Sequence, residues 1–126
     1  MPRTELIYYQ EKSGTSPVVT WLRELRGKNL KAWVNCRARI EQLEQMGHEL
    51  RRPAADYLRD GIYELRAKQG NVQYRLLYFF HGREAAILAH GLTKEDTVPR
   101  ADIERALNRK KLFESDPEAH TYEHET

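Results

Sequence analysis

The chain has 126 residues, 40% hydrophobic and 32% charged, which suits one globular domain with a strongly ionic surface and excludes a largely disordered chain. The net charge of +2 is uneven: residues 114–126 hold five acidic residues and no Lys or Arg, so residues 1–113 carry 21 basic against 14 acidic, a net of +7 that suits a polyanionic partner. No stretch approaches the roughly 18 apolar residues of a membrane span, the opening "MPRTELIYYQ" has no signal-peptide core, and the single Cys36 excludes an internal disulfide or cysteine metal cluster, so a cytoplasmic protein is expected.

In chain order, "ELIYYQEK" is rich in strand formers and ends at Ser13-Gly14, which predicts a strand over about residues 4–12. Ser16-Pro17 then supplies a capping oxygen and a residue tolerated in the first helical turn. Val18, Trp21, Leu22 and Leu25 share one face of the helix that follows, with Gly27 placed to end it. A second helix is predicted from about Leu30 to Met46, with Trp33, Cys36, Ile40 and Leu43 as its apolar stripe and Gly47 as its stop. The pair makes a helical hairpin. "ELRRPAADYLRD" contains Pro53 and has no clear period, so residues 49–60 read as a loop that can hold a turn of helix.

Three strand-like runs follow, "IYELRAK", "VQYRLLYFF" and "EAAILAHGL", separated by Gly70-Asn71 and Gly82-Arg83. A glycine opening a two-residue loop marks a tight antiparallel hairpin. A last helix is predicted from Val98 to about Phe113, with Pro99, Asp102 and Glu104 near its start and Arg109, Lys110 and Lys111 near its end, in agreement with the helix dipole. The expectation is an α+β domain over residues 1–113. It has a small antiparallel sheet of about four strands, the helical hairpin on one face and a C-terminal helix, followed by an acidic, flexible tail over residues 114–126.

If both loops have two residues, Gln69 pairs with Val72 and His81 with Glu84, and alternation fixes the rest. One face collects Tyr63, Leu65, Ala67, Tyr74, Leu76, Tyr78, Ala85, Ile87 and Ala89, an apolar floor for the hairpin. The other holds Glu64, Arg66, Lys68, Arg75, Leu77, Phe79, Ala86, Leu88 and His90, with Arg66 opposite Arg75 and Arg75 opposite His90. Facing cations destabilise a sheet by an amount comparable to the roughly 0.2–1 kcal/mol of a favourable cross-strand pair, and such a row makes sense where an anion sits on it. Glu64 lies on the same face and offers a second reading, in which it pairs with an arginine in a solvated ion network.

The element order, "GIYELRAKQGNVQYRLLYFF", "ILAHGLTK" and "TVPRADIERALNRKK" resemble the RelE/ParE superfamily of bacterial toxins, and most closely the HigB-like, phage-derived toxins of type II toxin-antitoxin systems. The resemblance spans roughly residues 5–113. It implies a RelE-like fold with a basic cleft, cleavage of messenger RNA during translation on the ribosome, and neutralisation by a cognate antitoxin, often a helix-turn-helix protein. By matching position, Arg66 and Arg75 fall where relatives carry phosphate-binding and transition-state-stabilising residues. Lys94 falls near another functional basic position, and His90 matches a histidine frequent before the glycine. Relatives often have a second lysine where this chain has Glu95.

The chemistry expected of such a site needs no metal or other cofactor. The RNA 2′-hydroxyl attacks the adjacent phosphorus in line, and the charge that builds on the phosphoryl oxygens suits arginine's fixed fork of donors. Arg75 is expected as the main clamp, with Arg66 as a second clamp or proton-transfer partner. His90 is the expected general acid or base, since its ordinary pKa near 6.5 allows either role. Lys94 and Lys68 would hold flanking phosphates, and Arg59, Lys110 and Lys111 complete the basic RNA-binding set. Phe79 would either stack a base or lie under the last helix. His120 and His124 have helical metal spacing but sit in the acidic tail, and no metal site is assigned to them. Two other functions fit the same fold: a non-enzymatic gyrase-inhibiting toxin of the ParE type, and an RNA-binding module without chemistry. The arginine row favours the nuclease.

Overall fold

The computed structural model describes residues 3–93 and 97–123. Strand β1 (Glu5–Tyr8) is followed by helix α1 (Pro17–Lys28), where the Ser16 hydroxyl accepts from the Val19 amide at 3.4 Å. Asn29 ends α1 and starts helix α2 (Leu30–Met46), its side-chain oxygen accepting from the Ala32 amide at 3.1 Å. Gly27 therefore lies inside α1, because the asparagine cap takes over the stop. Gly47 closes α2 with φ 53°, a conformation that favours glycine. The expected hairpin results, and Val18, Leu22, Leu25, Ala32, Cys36, Ile40 and Leu43 are buried on one face of the sheet.

The sheet has five strands in the order β1-β5-β4-β3-β2, with β2 (Ala55–Arg59), β3 (Ile62–Gln69), β4 (Val72–His81) and β5 (Ala85–Thr93) antiparallel in sequence. β1 lies parallel to β5, Glu5 opposite Ala85 through Tyr8 opposite Leu88. The fifth strand corrects the reading of residues 49–60 as a loop: β2 and β3 are joined by Asp60-Gly61, whose φ values of 50° and 84° make the tight turn between Arg59 and its partner Ile62.

The Gly70-Asn71 turn has the expected register, Gln69 opposite Val72 and Arg66 opposite Arg75. The second turn does not. Gly82, Arg83 and Glu84 form a three-residue loop, so His81 pairs with Ala85, and a bulge at Leu77/Tyr78 then leaves Ala89 as the extra residue. As a result Arg75 faces Leu92 and His90 faces Leu77, which breaks the expected Arg75–His90 pair. Ala86 and Leu88 now join the hairpin side, while Ala85, Ile87 and Ala89 turn to the opposite side. Gly91 lies under Trp21, where an added Cβ would come within 2.5 Å of the indole.

On that opposite side helix α3 (Arg100–Ser115) covers a second apolar cluster of Ile62, Leu77, Phe79, Ile87, Ala106 and Phe113, completed by Tyr9. Part of the chain beyond α3 returns to the β1 end. The Gln10 amide donates to the His120 carbonyl (3.0 Å), the Tyr122 amide to the Tyr8 carbonyl (2.9 Å), and His120 is buried with its ring stacked on Tyr9 at 5.2 Å. Backbone pairing and one buried ring outweigh the solvation of the acidic side chains there, which remain exposed at Asp116 and Glu118. Among the described residues no helix is long and apolar enough to cross a membrane.

Candidate functional site

The polar half of the α3-side face opens into a shallow cleft of about 430 Å3 lined by Arg52, Asp56, Leu58, Glu64, Arg66, Arg75, Thr97 and Val98. Alternation along β3 turns Glu64 and Arg66 into it, and the β3–β4 register sets Arg75 directly beside Arg66. The two arginines stand in different states. Arg75 is buried, and its Nη1 donates to Glu64 Oε1 at 2.7 Å, with both side chains nearly closed to water. Arg66 is half-buried, and its guanidinium has no ion pair or side-chain hydrogen bond to any described residue. The buried carboxylate thus offsets one member of the facing pair, and the like charge of the other remains on the cleft wall.

Arg52 completes the wall from the loop before β2. Its Nε and Nη2 donate to Asp56 Oδ2 at 2.9 and 2.6 Å. That charge-assisted fork holds the Asp56 carboxyl below the usual carboxylate range and leaves it ionised. Among the described residues, three guanidinium groups and two carboxylates therefore share one cleft.

His90 lies apart from this group. The bulge turns it toward α3, where Nε2 is 2.6 Å from Asp102 Oδ1 and Nδ1 is 3.3 Å from Arg109 Nη1. Arg109 is a donor only, so Nδ1 is the acceptor and Nε2 carries the proton that Asp102 accepts. Burial holds the imidazole below its ordinary pKa, against the pull of the Asp102 hydrogen bond. Arg109 also donates to the Ala89 carbonyl at 2.7 Å, lies 3.6 Å from Glu11 and sits over the Tyr9 ring. The cluster clasps α3 and the β1 end to the bulge of β5.

The other expected RNA-binding residues are scattered. Phe79 is fully buried and packs edge-on against Phe113 at 5.7 Å, so α3 covers it and it cannot stack a base. Lys68 is exposed at the Gly70 end of β3. Arg59 pairs with Asp60 at 2.7 Å and Lys110 donates to the Asp60 carbonyl at 3.3 Å, so both gather at the opposite end of β3. Lys111 is exposed on α3, and Lys94 lies outside the described residues. Arg52 and Asp56 are the cleft residues missed from the sequence, and the Asp60-Gly61 turn dipeptide was the signal that could have placed Asp56 on a strand with Arg52 just before it. Burial pushes the Cys36 thiol up to about 12, as befits a core filler.

A five-stranded, mostly antiparallel sheet with a helical hairpin on one face and a C-terminal helix beside a basic cleft on the other is an α+β architecture consistent with the RelE-like fold. Residues 21–111 match the family described as phage derived protein Gp49-like (DUF891), and since this is more than half of the chain, the protein belongs to that family. The family is associated with RelE-like toxins of toxin-antitoxin systems. No curated protein matches the chain.

Proposed function

We propose that this protein is the toxin of a type II toxin-antitoxin system, of the HigB-like kind, and that it is a metal-independent endoribonuclease cutting messenger RNA on the translating ribosome. The observation that carries the reading is the Arg66–Arg75 pair on the cleft wall, with Arg66 in no ion pair or side-chain hydrogen bond to a described residue, near enough to Asp56 to act on its charge, and Arg52 lining the same cleft. A cationic wall of this kind is costly to maintain and is offset by a phosphate.

In this mechanism the 2′-oxygen bonds to phosphorus as the bond from phosphorus to the 5′-oxygen breaks, and the departing 5′-oxygen takes a proton from water. Arg66 and Arg52 grip the scissile phosphate and meet the charge that develops on its oxygens in the transition state. Arg75, fixed by Glu64, supplies positive potential from below. Asp56 and Glu64 are the carboxylates among the described cleft residues, and either is a candidate acceptor for the 2′-hydroxyl proton. Asp56 is a weak base while Arg52 holds it, and becomes a better one when Arg52 moves to the phosphate. His90, with both ring nitrogens engaged, acts here by holding α3 rather than by transferring protons. A cognate antitoxin, of the helix-turn-helix kind, would neutralise the toxin.

The test is to incubate the purified protein with translating ribosomes and map the ends of the message. New internal ends that vanish with Arg66→Ala support the proposal. Intact messages accompanied by trapped DNA breaks would move the assignment to a gyrase-inhibiting toxin, and RNA binding without new ends would leave a non-catalytic module.

A further inference from the structure

The cleft does not end at Val98. That residue also begins a second groove of about 630 Å3, lined by Arg59, Val98, Arg100, Ile103, Glu104 and Leu107. The two depressions adjoin at this one side chain, which lines both. Val98, Ile103 and Leu107 are each only half-buried, so the groove floor is apolar and open. Its rim carries two arginines, and both are held in exposed ion pairs. Arg100 Nε lies 2.9 Å from Glu104 with side chains 85% and 54% exposed, and Arg59 Nη1 lies 2.7 Å from Asp60 with 40% and 65%. Pairs as open as these contribute little, so a phosphate displaces the carboxylate at little cost.

We propose that this groove is the subsite for the nucleotides that flank the scissile phosphate. A base lies on the Val98–Ile103–Leu107 floor, and the next phosphates bridge Arg59 and Arg100. The inference rests on the RNA-cleavage reading and gives that site a direction along the bound strand. Spacing supports it. Ala55 pairs with Leu65, next to Arg66, so Arg59 stands about four to five residues along the β2–β3 ribbon from the cleft wall, roughly 15 Å. That distance exceeds one nucleotide step, so a single strand gripped at Arg66 must continue past Val98 before it reaches Arg59. An apolar floor recognises the face of a base rather than its edge, so the subsite favours well-stacking bases without reading a strict sequence.

The experiment measures binding of a short single-stranded RNA to the intact chain as salt is varied, beside message cleavage on translating ribosomes. Each phosphate contact contributes about −0.7 to the slope of log affinity against log salt for a single strand. Arg59→Gln with Arg100→Gln is therefore expected to flatten the slope by about 1.4 and weaken binding about tenfold or more at low salt. Arg100 is exposed and Arg59 is half-buried with its guanidinium reaching solvent, so both glutamines are accommodated without disturbing the core. Glu104→Gln, which releases Arg100, is expected to tighten binding. Leu107→Glu is expected to raise KM with little change in kcat and to alter the base found beside the cut. An unchanged slope in the double variant, or absence of measurable RNA binding by the wild-type chain, overturns the subsite. Cleavage by wild type together with an unchanged slope sinks the subsite alone, whereas altered slopes without any cleavage sink the nuclease reading and leave the groove as an RNA-binding surface.

Discussion

On the hairpin face of the sheet, Leu65, Leu76, Tyr78 and Leu88 meet Val18, Leu22, Ile40 and Leu43, and the close approach of Trp21 to Gly91 leaves no room for a methyl group. On the α3 face, Phe79 and Ile87 pack under Phe113, but the same surface also buries Glu64, Arg75 and His90. Burying a charge is costly unless it is paired, and Glu64 and Arg75 pair with each other, while the neutral His90 hydrogen-bonds to Asp102. Every described strand residue that is both buried and ionisable by charge lies on this second face. One face therefore spends its area on burial alone, and the other holds ionised groups in place beside an opening.

The contrast can be broken at the Glu64–Arg75 pair, where the largest effect is expected. Arg75→Ala leaves Glu64 as an uncompensated buried charge and should cost about 3–5 kcal/mol in denaturant unfolding. Replacing both, Glu64→Leu with Arg75→Met, should restore most of that stability without restoring message cleavage. A double variant that cuts normally would remove the pair from the mechanism. Next in size, Arg66→Ala should lower the cleavage rate about a hundredfold, near 2.7 kcal/mol of transition-state stabilisation. Its unfolding free energy should stay within about 0.5 kcal/mol of wild type, because it makes no ion pair or side-chain hydrogen bond to a described residue and acts on the partly exposed Asp56 only through space.

A change on the hairpin face should do the reverse. Gly91→Ala forces a methyl group against the Trp21 indole and should cost about 1–3 kcal/mol of stability, with the rate per folded molecule unchanged. The smallest effect concerns pH. Because burial lowers the His90 pKa in the folded state, the unfolded chain takes up this proton more readily as pH falls through about 6.5. The contribution is whole above that value and declines below it, until the folded state is protonated too. The denaturant midpoint of wild type should thus fall between pH 7.5 and 5 by more than that of His90→Gln, and a wild-type midpoint that rises relative to His90→Gln over that range would contradict the assignment.

The hairpin face was the more legible of the two. Ser16-Pro17, the spacing of Cys36, Ile40 and Leu43, and Gly47 each act locally, so both helices and their buried stripe follow from neighbours in sequence. The Gly70-Asn71 turn likewise fixed Arg66 opposite Arg75, because a two-residue hairpin leaves the register no freedom. The α3 face was read less well. One extra residue in the Gly82 loop and a bulge at Ala89 reversed the facing of Ala85 through Leu88 and carried His90 away from Arg75, and neither leaves a mark in periodicity. Phe79 could be assigned to base stacking only while α3 had no position, and a parallel β1–β5 pairing between segments some eighty residues apart has no local signal. Asp60-Gly61 was a local signal, outweighed by the arginines and proline before it.

The central claim is that the Arg66 cleft holds an RNA phosphate for attack by its neighbouring 2′-hydroxyl. The direct measurement is to map the cut in a translated message and then supply that message with a 2′-deoxy nucleotide at the position before the break. The account predicts that cleavage at that position is lost while ribosome loading and cuts elsewhere persist. Undiminished cleavage at the deoxy position would show that the RNA does not supply its own nucleophile and would contradict the account.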